Sequence, residues 1–260
     1  MESAYLELEN VSKNFNGLLA VDRLSFSVAK GQIVSIIGPN GAGKTSVMNL
    51  ITGVYPVTSG EILFQGMRLN GKEPHEVASL GISRTFQNVG LFKEITVLEN
   101  VMVGLHGMVK SGVFSSMMGF PSVRQGEKEI RRKSLSALAT INLGNKRNFL
   151  AANLSYGDQK LVELARAVVS VPKLLLLDEP GAGLNETEKE KLIRLILALK
   201  KEGMAILLVE HHMEMIMRIS DNIVVLNFGH KIAEGCPEDI SRNPDVITAY
   251  LGVDTSDAGD

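Results

Sequence analysis

Three short runs concentrate residue types that handle phosphate. Gly38-Pro39-Asn40-Gly41-Ala42-Gly43-Lys44-Thr45 has the Gly-x-x-x-x-Gly-Lys-Ser/Thr spacing. Its glycines permit a loop tight enough for successive backbone N–H groups to converge on β- and γ-phosphates. Lys44 reads as an exposed loop donor with a mobile positive charge, and the Thr45 hydroxyl suits a Mg²⁺ ion. Alone, the run could be a Gly-rich turn that binds nothing. In Leu174-Leu175-Leu176-Leu177-Asp178-Glu179-Pro180, an apolar run delivers Asp178 at its carboxyl end. Open α/β sheets bind their ligands at that edge. Asp178 is placed to hold the Mg²⁺ shell, and Glu179 to accept a proton from an attacking water. Without a phosphate loop, the pair would read as a solvated corner. Leu154-Ser155-Tyr156-Gly157-Asp158-Gln159-Lys160 opens a helix with Leu161, Leu164, Ala165 and Val168 on its apolar face. Ser155 suits the N-cap, with Asp158 three residues on as the reaching partner of a capping box.

The elements that must position these runs follow from hydrophobic period. Tyr5–Val11 alternates, with Leu6 and Leu8 on one side and Glu7 and Glu9 on the other. Leu24, Phe26 and Val28 alternate in the same way, and both stretches predict half-buried, antiparallel strands. Ile33–Ile37 is a continuous apolar run ahead of the Gly-rich loop. After the loop, Val47, Leu50 and Ile51 predict a helix that stops near Gly53. Strand, Gly-rich loop and helix in that order open a parallel α/β layer, the context the first motif requires. Glu61–Phe64, Leu174–Leu177, Met204–Val209 and Ile223–Leu226 read as further strands. Glu186–Lys201 reads as a helix with Leu192, Leu195, Ile196 and Leu199 as its stripe. Between Val97 and Asn148 helical stretches such as Glu127–Ile141 dominate, and His106–Gln125 reads as a loop-rich insertion. The expected organisation is one domain over 1–260: an ATP-binding α/β core at 1–87 and 160–240, a helical subdomain at 88–159, and a tail at 241–260. The last residues, Thr255–Asp260, look frayed.

Bulk properties narrow the partners. The 260 residues carry 27 Lys+Arg against 29 Asp+Glu, a formal charge of -2, so a basic nucleic-acid footprint is not expected. Arg131–Lys133 reads as a solvated helix face. The single Cys236 reads as a small packed side chain in a reducing compartment. The longest apolar run, Met204–Val209, is far short of the roughly 20 residues a spanning helix needs. Met1-Glu2-Ser3-Ala4 shows no export signal.

Taken together, the runs resemble the ATP-binding-cassette (ABC) ATPases over nearly the whole chain. Leu154–Gln159 is similar to that family's Leu-Ser-Gly-Gly-Gln signature, and it precedes the second acidic motif as in the family. The resemblance implies a fold class: a phosphate-loop α/β core with a mostly parallel sheet, an N-terminal antiparallel β layer and an inserted helical subdomain. It implies ATP and Mg²⁺ as ligands. The expected ATP-binding set is Phe15, Gly38, Pro39, Asn40, Gly41, Ala42, Gly43, Lys44, Thr45 and Ser46. Phe15, in Ser12-Lys13-Asn14-Phe15, falls where the family stacks an aromatic on adenine, although by itself it could be a core aromatic. Mg²⁺ is expected on Thr45, Asp178 and Gln87, the last in Arg84-Thr85-Phe86-Gln87. His211 falls at the family's switch histidine, which contacts the γ-phosphate; alone it would read as a surface or helix-capping residue. Glu179, His211 and Lys44 are the expected catalytic set.

Ser155, Gly157 and Gln159 are expected to close on the ATP of a facing subunit, and Gly181-Ala182-Gly183-Leu184-Asn185 to join the two sites. Tyr156, Asp158, Asn185 and His212 depart from the family pattern. The implied partners are a second cassette, identical or homologous, and integral membrane permease subunits met near Gln87–Phe92. An extracytoplasmic solute-binding protein would act indirectly. The implied place is the cytoplasmic face of a prokaryotic plasma (inner) membrane. The signature, Gly181–Asn185 and Asn243–Gly252 are similar to ATPase subunits of branched-chain amino-acid importers. Other cargoes, such as exported lipid or lipopolysaccharide or imported urea, remain open on these residues, as does a soluble cassette ATPase.

Overall fold

The computed structural model describes residues 4–85, 90–105 and 121–251. They fall into two compact units: one drawn from Met1–Ile82, Lys173–Gly181 and Ile196–Asp260, the other from Ser83–Pro172 and Ala182–Leu195. The second unit extends past the stretch 88–159 expected from sequence texture.

In the first unit, β1 (Ala4–Phe15) pairs antiparallel with β2 (Leu18–Ala29) and β4 (Ser59–Phe64), and β4 with the short β5 (Met67–Arg68). The period of two sends Leu6, Leu8, Leu24, Phe26 and Val28 into one core. A second sheet of six strands has the order β10-β9-β3-β8-β7-β6. Its strands are β3 (Ile33–Ile37), β6 (Ile82–Arg84), β7 (Leu174–Asp178), β8 (Ala205–Val209), β9 (Asn222–Asn227) and β10 (His230–Gly235). β3, β7, β8 and β9 run parallel, and β10 returns antiparallel. Every residue of β3, β7 and β8 is buried. That is why their sequences are unbroken apolar runs rather than alternating ones. The strand registers align Ile36 and Asp178 with Val209, so the residues following β3, β7 and β8 emerge at one edge of the sheet.

Helix α1 (Lys44–Ile51) follows β3 and buries Val47, Leu50 and Ile51, and α2 (Pro74–Ser79) lies later in the same unit. The second unit packs α3 (Val97–Val103), α4 (Pro121–Thr140) and α5 (Tyr156–Val168) around Val97, Val101, Leu138, Val162 and Ala165. Helix α6 spans Glu186–Lys201, as its periodicity predicts. Three short helices come last among the described residues: α7 (Met213–Ile219), α8 (Pro237–Ser241) and α9 (Pro244–Leu251).

Two expectations are corrected. The loop-rich insertion does not reach Gln125, because α4 already begins at Pro121. Proline lacks an N–H that a first helical turn would leave unpaired, and its fixed φ suits that turn. Cys236 is exposed rather than packed; it precedes α8, and its thiol donates to Asp239 Oδ2 at 3.1 Å. Arg131–Lys133 is an exposed face, as expected. Residues 106–120, the tail Thr255–Asp260 and Gln87 lie outside the described residues. No helix among the described residues is long and apolar enough to cross a membrane.

Candidate active site

The loop from β3 to α1 turns on Gly43, whose φ is 101°. A Cβ there would stand 2.5 Å from the Ala20 carbonyl oxygen, so only glycine fits. Ala42 N donates to Pro39 O at 3.2 Å, and Gly229 N donates to Ala42 O at 3.1 Å, which fastens the loop. Because α1 begins at Lys44, the amides of Lys44, Thr45 and Ser46 belong to a first turn that has no intrahelical acceptors. Such a turn is a ready anion site.

Lys44 corrects one expectation. It is not an exposed donor: it is 7% exposed, and its Nζ donates to Gly38 O at 2.7 Å and Pro39 O at 2.9 Å. As the first residue of α1, it folds its stem back under its own loop. Burial pushes its ammonium below the ordinary lysine value, while the Glu179 and Asp178 carboxylates pull the other way.

Asp178 ends β7 and is buried. Glu179 has φ 48°, a left-handed backbone uncommon for this residue type. Its N–H donates to Val209 O at 2.8 Å. Its Oε1 lies 2.8 Å from His211 Nε2. A carboxylate can only accept, so the His211 Nε2 carries the proton between them. The N-cap position of α7 is held by His212, not His211, and without a side-chain capping bond.

These groups wall a cavity of about 490 Å³, within the range of small-molecule sites. Phe15, Leu18, Leu19, Ala20 and Phe228 give it apolar lining; residues 40–46 with Glu179 and His211 give it polar lining. Phe15 is not a core aromatic. It is 36% exposed, stands edge-on to Tyr55 at 5.1 Å, and has Lys13 Nζ 4.7 Å from its ring centroid. Gly38, Pro39 and Asp178 are set back from the cavity wall, the first two as acceptors for Lys44. The cavity fits a flat ring joined to a polyanionic tail. The hydroxyl of Thr45 and the carboxylate of Asp178 are hard oxygen donors of the kind Mg²⁺ takes.

Sequence reasoning missed Glu210. It is 3% exposed, and its carboxylate accepts from Gly181 N at 2.6 Å and His211 N at 2.8 Å. A glutamate directly after the all-apolar β8, at the sheet's ligand edge, was the available signal. The loop before β10, Phe228-Gly229, and the start of β2 were also missed as cavity walls.

In the second unit, Ser155 caps α5 and accepts from Asp158 N at 3.2 Å. The expected capping box is half made: the Asp158 carboxylate takes Lys146 Nζ at 2.5 Å instead of reaching back. Gln159 Nε2 donates to Leu154 O at 3.1 Å, and Gly157 is buried. The Tyr156 ring lies over Gly183, with Lys160 Nζ 5.9 Å from its centroid.

The family described as ABC transporter matches residues 21–182, more than half of the chain. The chain belongs to the ABC transporter family. It is an ABC ATPase, and the expected fold class is borne out by its structural relatives and by its two sheets. A second family, described as branched-chain amino acid ATP-binding cassette transporter, matches residues 230–255. LivG of Escherichia coli (strain K12), a high-affinity branched-chain amino acid transport ATP-binding protein, is 45% identical over 97% of this chain and 99% of its own length. The ADP conformation of MJ1267, an ATP-binding cassette of an ABC transporter, superposes with a TM-score of 0.84 at 32% identity, over 96% of this ABC ATPase and 99% of that chain. A dimeric post-hydrolysis state of the cassette MJ0796, bound to ADP and Pi, gives 0.76 at 25% identity over 89% and 98%.

Proposed function

We propose that this ABC ATPase powers the import of branched-chain amino acids. It would work at the cytoplasmic face of a prokaryotic membrane, paired with a second cassette and seated on membrane permease subunits. An extracytoplasmic binding protein would present the solute. The match of residues 230–255 and the likeness to LivG support the cargo, and the dimeric state of MJ0796 supports the pairing.

The chemistry rests on one observation: the Glu179–His211 contact lines the same cavity as the phosphate loop. Phosphoryl transfer to water needs positioning and charge stabilisation more than covalent help. Residues 40–46 would hold the triphosphate through backbone amides and the Lys44 charge, with Phe15 against the base. Thr45, Asp178 and Gln87 would hold Mg²⁺, whose charge would offset that of the triphosphate. Glu179 accepts the proton of the attacking water. His211 Nε2–H has one proton to give, and a γ-phosphate oxygen competes with Glu179 for it. When that hydrogen bond turns to the phosphate, with the proton staying on Nε2, the Glu179 carboxylate is freed to act as base. Ser155, Gly157 and Gln159 would serve the partner cassette's nucleotide, so ATP joins the two and hydrolysis releases them.

Glu179→Gln tests this reading. Turnover is expected to fall by roughly 10²–10⁴-fold, the usual contribution of a general base, with ATP binding retained. Size-exclusion with Mg-ATP and with ADP should show the closed pair accumulating only with ATP. Hydrolysis at the wild-type rate would remove Glu179 from the role of base.

A further inference from the structure

β7 and β8 are parallel neighbours, with Asp178 in register with Val209. Past that register both chains leave the ladder, and the amides beyond it need new acceptors. Glu179 N finds Val209 O at 2.8 Å. The next amides on both sides converge on one side chain. Glu210 Oε1 accepts from Gly181 N at 2.6 Å, while Oε2 accepts from His211 N at 2.8 Å and His212 N at 3.3 Å.

We propose that Glu210 is a positioning residue for hydrolysis: a buried carboxylate clasp that ties the turn after Glu179 to the turn that carries His211. The inference rests on the reading of Glu179 and His211 as the hydrolytic pair. Glu210 does not touch the cavity; it acts through the backbone of the residues that do. Three N–H groups on one carboxylate make charge-assisted bonds, which are shorter and stronger than neutral ones. They also satisfy a charge that would otherwise be costly at 3% exposure. The clasp answers a local need. Glu179 sits at φ 48°, and a strained residue holds its place only where its surroundings over-determine it. Val209 O pins its amide, and Glu210 pins the chain two residues later. Gly181 shows how closely the parts meet, since a Cβ there would lie 2.5 Å from Glu210 Oε1.

The experiment compares Glu210→Gln, Gly181→Ala and Glu210→Ala with the double variant G181A/E210A. Turnover and equilibrium ATP affinity are measured on the full chain assembled with its transporter partners. Glutamine keeps one acceptor oxygen and turns an NH₂ toward the remaining N–H groups. Turnover is expected to fall about 10- to 100-fold, the scale of a small misplacement of reacting groups, with ATP affinity little changed. Gly181→Ala should give the same split by pushing the carboxylate aside. The double variant should be no slower than its slower parent, because both changes break one contact. A folded E210Q with wild-type turnover overturns the clasp, and so do losses in the double variant that simply multiply. If E210Q does not fold, G181A decides, and wild-type turnover there overturns the proposal. Glu179→Gln run in parallel separates the two readings. An active E179Q removes the base itself, whereas an inactive E179Q beside a fully active E210Q removes only the clasp.

Discussion

Within the cavity the Lys44 ammonium is enclosed by the phosphate loop, two of its three N–H groups donating to Gly38 O and Pro39 O. A triphosphate entering that loop offers the same ammonium a charged acceptor, and hydrogen bonds to charged groups contribute about 1.5–3 kcal/mol. Lys44→Ala is therefore expected to weaken ATP binding roughly 10- to 100-fold by that figure. The loop itself should survive, because Ala42 N→Pro39 O, Gly229 N→Ala42 O and Asp22 N→Gly229 O hold it without the lysine. An ATP titration and a melting curve on the same variant check both halves. Unchanged affinity would remove Lys44 from the site; a collapsed melting curve would make it a structural residue. Glu210 marks the opposite limit at this scale. Its place directly after β8 signals the sheet's ligand edge, but its bond to Gly181 N depends on β7 and β8 being neighbours, a long-range fact that spacing does not carry.

Helix starts carry the site's second layer. Asn185 Oδ1 accepts from Glu188 N at 3.0 Å, and Glu188 Oε2 accepts from Asn185 N at 3.0 Å, a reciprocal cap on α6. The family's usual aspartate is thus replaced by a residue that still caps. Asn185→Ala should cost about 1 kcal/mol, the typical worth of an N-cap side chain. A lowered urea midpoint at unchanged m-value is the expected result, and an unmoved midpoint would show that the cap contributes nothing. Elements of this kind were legible where burial imposes a period. β3, β7 and β8 read as runs because both faces are covered, and α6 reads to the residue because its stripe is unbroken. β10, α8 and α9 were not legible. His230–Gly235 is a sheet-edge strand without a buried residue, and its place is set by pairing with β9 rather than by its own pattern. The phosphate loop, Asp178, Glu179 and His211 could be named from the sequence. The burial of Lys44 could not, since it depends on where the stem folds after α1 has formed.

For the molecule as a whole, the open quantity is coupling. Among the described residues no helix is long and apolar enough to cross a membrane, and in the proposed function the solute passes through permease subunits. In the proposed function, ATP hydrolysis at Glu179 and solute arrival on the far side of a membrane are two distant events that share one equilibrium, the closing of the paired cassettes. A loaded binding protein that favours the closed state through the permease must raise hydrolysis, and ATP must in turn change the affinity for the loaded binding protein, because coupling between binding events is reciprocal. A typical coupling of 1–3 kcal/mol corresponds to about 5- to 150-fold. We therefore expect the transporter, purified with its native permease and partner cassette and reconstituted in vesicles, to hydrolyse ATP several-fold faster with its binding protein carrying leucine, isoleucine or valine. The empty binding protein should stimulate less. Glu179→Gln in the same vesicles should abolish the stimulated rate, which ties the signal to this chain. Stimulation by lipid alone, or by an unrelated solute and by none of the three amino acids, would overturn the import reading while leaving the phosphate loop, Glu179 and His211 in their roles.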